Sequence, residues 1–207
     1  PPLPIENNVL KTFSIENEPV VELVNNRERE YIFADLPDIG YSTDIDTVMA
    51  SSYQVKKQLQ QIVKIEQPIT NTLLYKRILR IWNLTRVTTR LQVFIDNLLE
   101  DAYKDPLSGD TIIYWEDEEK AKDCDFYRIN SKRDILDIPI LEVMSAARYA
   151  IEQQISMPTE DLKRLTSQLL GFSRKGNNLD MVTEQTIQLL IDQGIFSHAN
   201  GMVSMNN

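Results

Sequence analysis

The chain repeats its own pattern of helix, turn and strand signals, and that repetition restricts it to folds built from two similar small units. In the first copy Val55, Leu59, Ile62 and Val63 recur at helical spacing. They fill one face of a helix that starts at Ser52 and ends near Gln67-Pro68, where proline breaks the pattern. Asn71 is placed to cap a second helix with the apolar face Leu74, Ile78, Leu79 and Trp82. A third helix, from about Arg86, buries Leu91, Phe94, Ile95, Leu98 and Leu99. Asp105 to Gly109 then reads as a turn and Thr111 to Trp115 as a strand. Beyond an acidic loop (Glu116 to Asp125), Phe126 to Ile129 reads as its partner strand.

From Ile140 the succession runs again. One helix carries Val143, Ala146, Ala147 and Ala150 and leads to Met157-Pro158, and a second carries Leu162, Leu165 and Leu169. A third carries Leu179, Val182, Thr186, Leu189 and Leu190, and a hairpin turns at His198 to Gly201, where Asn-Gly is a strong turn signal. Laid on each other, Glu66-Gln67 falls on Gln153-Gln154 and Lys76-Arg77 on Lys163-Arg164. After one inserted residue, Trp82-Asn-Leu-Thr-Arg86 falls on Leu170-Gly-Phe-Ser-Arg174, and Leu91, Phe94 and Leu98 fall on Leu179, Val182 and Thr186. Three helices and a hairpin are the order of a winged helix. The expected fold is therefore mainly α with small β-hairpins (α+β), as two tandem winged-helix or helix-turn-helix-like units over residues 51–135 and 136–207.

Residues 1–50 read as an N-terminal linker and packing arm. Val9 to Ile15 has strand character, Val20 to Asn25 reads as a short strand or a turn of helix, Tyr31 to Ala34 is apolar enough to dock on a core, and Pro37 and Gly40 interrupt regular structure. The chain opens on Pro-Pro-Leu-Pro, with no initiator Met and no signal-peptide core, so it is expected to be a piece of something longer.

With 22 basic and 31 acidic residues the net charge is −9, so any contact with nucleic acid or an anionic membrane must come from a local basic patch. Two such patches exist. Ile69 to Ile95 carries Lys76, Arg77, Arg80, Arg86 and Arg90 and no acid; Leu162 to Leu179 carries Lys163, Arg164, Arg174 and Lys175 and no acid. Both fall on the second helix and the turn into the third, the elements that approach DNA in a helix-turn-helix. These nine, with Thr88 and Thr89 for base edges, are the candidate nucleic-acid-binding residues, for DNA or RNA. Weighing against contact, arginines at helix ends commonly pair with carboxylates, and the last helix also presents Asp180 and Glu184.

Catalysis finds no constellation. His198 is the only histidine, and Cys124 stands between Asp123 and Asp125, whose charge should raise its pKa. One His and one Cys make no ordinary zinc site, and Glu116-Asp-Glu-Glu119 lacks the spaced ligands of a calcium loop. There is no phosphate-binding glycine loop ending in Lys-Ser or Lys-Thr, and Asp105, Asp110 and Glu116 do not make a nuclease cluster. Trp82 and Trp115 read as core. The expectation is a non-catalytic chain without cofactor or metal. The single thiol and the lack of an apolar run of about 18 residues point to the cytoplasm and to no membrane partner.

Several short motifs stand in order: Glu-Gln-Pro-Ile at 66–69, Lys-Arg-Ile-x-x-x-Trp at 76–82, Thr-Arg at 85–86, Phe126-Tyr-Arg, Ile138-Pro139, and Leu169-Leu-Gly-Phe-Ser-Arg174 with Gly176. The set, over about residues 50 to 193, resembles an uncharacterised domain family at the C-terminus of very large bacterial superfamily I helicase-like proteins. That resemblance implies an accessory module working beside the remainder of a larger helicase-like chain, on nucleic acid or docked to that chain, and carries no catalytic residues. The sequence departs from the pattern at Asn83, where glycine is expected, and in the acids of the last helix.

Overall fold

The computed structural model describes residues 25–41, 43–108, 111–129 and 131–206. Among them the chain is mixed α/β, with eight α-helices and small sheets. The strand-like segments at Val9–Ile15 and from Val20 to Val24, the tip of the turn at Gly109, and Asp110 lie outside the described residues.

The same element order occurs twice. Helix α2 (Ser52–Glu66) leads through a cis Gln67-Pro68 peptide to strand β2 (Ile69–Thr70), helices α3 (Asn71–Ile81) and α4 (Thr89–Leu98), and strands β3 (Tyr103–Lys104) and β4 (Ile113–Trp115). Helix α6 (Ile140–Glu152) leads likewise to β6 (Met157–Pro158), α7 (Thr159–Leu169), α8 (Asn177–Asp192), β7 (Phe196–Ala199) and β8 (Met202–Met205). In each sheet the last strand lies in the middle, antiparallel to both neighbours: β2-β4-β3 and β6-β8-β7. The apolar stripes face inward as their spacing requires. Val55, Leu59, Ile62, Leu74, Ile78, Trp82, Leu91, Ile95 and Leu99 form one core; Ala147, Ala150, Leu162, Leu190, Phe196 and Val203 form a second.

The two copies register at a constant offset of 88 residues from the first strand to the third helix: Ile69 on Met157, Asn71 on Thr159, Thr89 on Asn177. The turns obey it too. Leu84 N–H donates to Leu79 O at 2.9 Å and Phe172 N–H to Ser167 O at 3.0 Å, the same six-residue helix closure. The closure needs a left-handed residue, which is Asn83 (φ 47°) in the first copy and Gly171 (φ 88°) in the second. Asparagine tolerates that conformation, and its side chain ties the turn to the arm through Tyr41 O at 3.2 Å.

Six sequence expectations are corrected here. The offset puts Lys76 on Arg164 and Arg77 on Leu165, so Lys76-Arg77 does not fall on Lys163-Arg164. The cap of α3 is Thr70, whose hydroxyl accepts from Leu73 N–H, and not Asn71; α4 begins at Thr89 and not near Arg86. Strand β5 (Tyr127–Ile129) does not pair with β4. It runs parallel to β1 (Glu28–Glu30) of the arm, and the hairpin partner of β4 is β3. The acidic loop folds into helix α5 (Glu118–Lys122), capped by Asp117 and laced by a Glu118–Lys122 ion pair at 2.9 Å. In the second copy β7 runs through His198 to Ala199, leaving Asn200-Gly201 as the turn.

The arm is part of the first core. Helix α1 (Ile45–Ala50) buries Val48, and Ala34 and Leu36 join the same cluster. Tyr31 is buried as well, while Ile32 and Phe33 are exposed. Both tryptophans are buried, with their indole N–H groups held by Gln58 and Asp105.

Candidate nucleic-acid interface

Each basic candidate lies on the second or third helix of its copy or on the turn between them, and most have an acid in contact. Lys76 reaches the buried Asp137 at 2.6 Å. Arg80 lies 3.6 Å from Asp35 and over the Phe33 ring, and Arg90 lies 2.8 Å from Asp46. Lys163 sits between Glu160 (3.3 Å) and Glu184 (3.9 Å), and Arg164 meets Asp161 at 2.8 Å. Except for the buried partner of Lys76, these acids are about half exposed or more, so such pairs are weak and exchange readily with another anion.

Arg77 is different. Its guanidinium is only 16% exposed and makes three contacts of 2.8–3.1 Å to Glu66, a carboxylate with no exposed surface. Tyr31 completes the set: its hydroxyl donates to Glu66 and accepts from Arg77. Burial and the Glu66 charge push the Tyr31 phenol well above its ordinary range, so it stays protonated. Arg77 therefore holds the arm to α2 and α3 through its Nε and one Nη. Thr88 is likewise committed, its hydroxyl accepting from Leu91 N–H at 3.2 Å as the N-cap of α4.

What remains exposed and without an ion pair among the described residues is Arg86 in the first turn and Arg174 and Lys175 in the second. The offset makes Arg86 and Arg174 equivalent. Thr89 opens the first turn of α4, which contains no acid of its own. The corresponding face of α8 is unlike it: Asp180, Met181, Glu184 and Gln185 are all exposed.

Sequence reasoning missed a second buried charge cluster, between the two copies. Glu142 on α6 has no exposed surface; Arg128 reaches it at 2.5 Å and Arg133 at 2.7 Å. Burial alone would raise the Glu142 carboxyl, but the two guanidinium groups outweigh that and hold it at about 2. Arg128 also donates to the carbonyls of Glu66 and Pro68, both at 2.7 Å, and so clamps the end of α2 to the start of the second copy. The arm adds Arg27, paired with Asp125 at 3.0 Å and Glu152 at 2.6 Å. The available signal was Phe126-Tyr-Arg128, read as a strand and a family motif but not as the source of a buried cation.

Cys124 is unsuited to nucleophilic chemistry for a reason other than its flanking aspartates. Burial, then the Glu142 charge, pushes the thiol up to about 12 against the opposing influence of Arg128. Among the described residues no group of His, Cys, Asp and Glu is placed to hold a metal ion, and no helix is long and apolar enough to cross a membrane.

Comparison with curated proteins and with solved structures returned no match. Over residues 50–93, from the end of α1 to the middle of α4, the chain is similar to the family described as "Protein of unknown function (DUF3320)".

Proposed function

We propose that the two copies are winged-helix units forming a non-catalytic accessory module of a helicase-like protein, and that the first unit grips nucleic acid at the turn between α3 and α4. The observation that carries this reading is the arrangement at that turn. Helix, strand, helix, helix and hairpin follow in winged-helix order with the last strand central. The free Arg86, exposed Thr89 and loosely paired Arg90 stand where such a unit meets the phosphate backbone. Arg80 and Lys76 flank them at the surface. The resemblance to helicase-associated domains supplies the parent protein, and the division at 51–135 and 136–207 behind an arm follows the two element series.

Fluorescence anisotropy of the chain with short duplex and forked DNA tests this. Arg86→Glu together with Arg90→Glu should reduce affinity at least tenfold while leaving the circular dichroism spectrum intact; unchanged affinity sinks the assignment.

One observation favours a second reading, docking on the rest of the parent protein. Met181 (44% exposed), Leu136 (47%) and Leu107 (37%) line a cleft of about 370 Å³ between the copies, beside the acidic face of α8. Such a mixed, partly apolar patch suits a protein surface better than a phosphate backbone. Met181→Glu separates the two readings, since it should weaken docking to the parent chain and leave DNA affinity alone.

A further inference from the structure

The charges packed around Tyr31 do not balance. Around Tyr31 three guanidinium groups (Arg77, Arg128, Arg133) face two carboxylates, Glu66 and Glu142. Arg133 shares Glu142 with Arg128, its guanidinium lies 4.3 Å over the Tyr31 ring, and its buried Nε has no hydrogen-bond partner among the described residues. A buried cation with less than one carboxylate to itself leaves net positive potential at the nearest opening. That opening is a cleft of about 800 Å³, lined by Arg133 together with Ser131, Lys132, Gly171 and Phe172. Lys132 is exposed and makes no ion pair among the described residues, and Glu28 is the one acid among the lining residues.

This cleft adjoins another. A smaller one of about 160 Å³ is lined by Arg164, Arg174 and Lys175 and also by Glu160 and Asp180, and both clefts share Gln168 and Phe172. Cationic groups thus stand on either side of a half-buried aromatic ring, at the turn between α7 and α8. Cations in two adjoining clefts with an aromatic ring common to both suit a single strand, which is held by phosphate contacts and by stacking of a base.

We infer that the paired clefts form a second binding site, for a phosphate-bearing polyanion that runs from Arg174 and Lys175 past Phe172 to the exposed Lys132, with the buried Arg133 acting beneath it through its charge alone. Its ligand is the backbone of a single nucleic-acid strand. The site rests on the reading above in placing the chain on nucleic acid, but uses the other copy and the loop between copies. With the first unit on duplex, it receives the strand that leaves a fork.

The test is an amide NMR titration of the 207-residue chain with a single-stranded oligonucleotide and, separately, with inorganic pyrophosphate. It is repeated on Lys132→Glu, Lys175→Glu and Arg86→Glu, all at exposed positions without an ion pair among the described residues. The oligonucleotide should shift the amides of Ser131 to Arg133 and Gly171 to Phe172. Lys132→Glu and Lys175→Glu should each weaken its binding several-fold and lower the salt slope by about one, while Arg86→Glu leaves those shifts in place. Shifts confined to the turn around Arg86 overturn this site and leave the reading of the first unit standing. Shifts at the cleft with pyrophosphate alone assign it to a free phosphate and overturn the strand. Silence at the cleft with both probes overturns the site altogether.

Discussion

Glu142 shows how one buried carboxylate can organise a junction. Two arginines satisfy both its oxygens, and one of them carries the link to the end of α2. Breaking such a pair leaves buried guanidinium groups uncompensated, which costs about 3–5 kcal/mol. Glu142→Gln should therefore lower unfolding stability by about that much in urea titrations. The same carboxyl predicts a pH dependence. Its folded pKa of about 2 lies below the ordinary 4.5, so its stabilisation is complete above about pH 4.5 and is lost as pH falls toward 2. Urea midpoints taken stepwise over that window should fall more steeply for the wild-type chain than for Glu142→Gln; parallel curves would refute the assignment. Cys124 should resist iodoacetamide at pH 8 in the folded chain and react once unfolded, because its thiol is held at about 12.

Among the elements, the six longer helices were legible, whereas the short α1 and α5 and most of the strands were not. Stripes such as Val55, Leu59 and Ile62, or Leu91 and Ile95, repeat often enough to define a helix and its buried face. Strands β2, β3 and β6 have two residues each, too few to show any alternation, so β4 was given the wrong partner. The Asn200-Gly201 hairpin was legible because the turn type demands those residues. Of the candidate site, the two acid-free segments and the free Arg86, Arg174 and Lys175 could be read directly. The partners of Arg77, Lys76 and Arg90 could not, since Glu66, Asp137 and Asp46 reach them only through tertiary packing. Thr88 was assigned to base edges but caps α4. Thr88→Ala should thus cost about 1 kcal/mol of stability, with a lowered urea midpoint. A stable variant with lost DNA affinity would instead restore its place at the interface.

For the molecule as a whole, the arm decides cooperativity. It pairs β1 with β5, supplies Tyr31 to the Glu66–Arg77 pair, and buries Ala34, Leu36 and Val48 in the first core. A chain beginning at residue 51 should lose the cooperative unfolding of the first unit, seen as a broadened thermal transition; a transition as sharp as that of the full chain would show the arm to be dispensable. The arm also brings Asp35 and Asp46 onto Arg80 and Arg90, and net charge −9 opposes any approach of phosphate. Binding through a few local cations against that background must therefore depend strongly on salt. The most direct test is the affinity of the intact chain for forked DNA, by fluorescence anisotropy, across about 50 to 200 mM salt. The account predicts a log–log slope of a few units, reduced by about one on Arg86→Glu. A flat dependence, or no binding at the lowest salt, would contradict it and leave protein docking as the function of the fold.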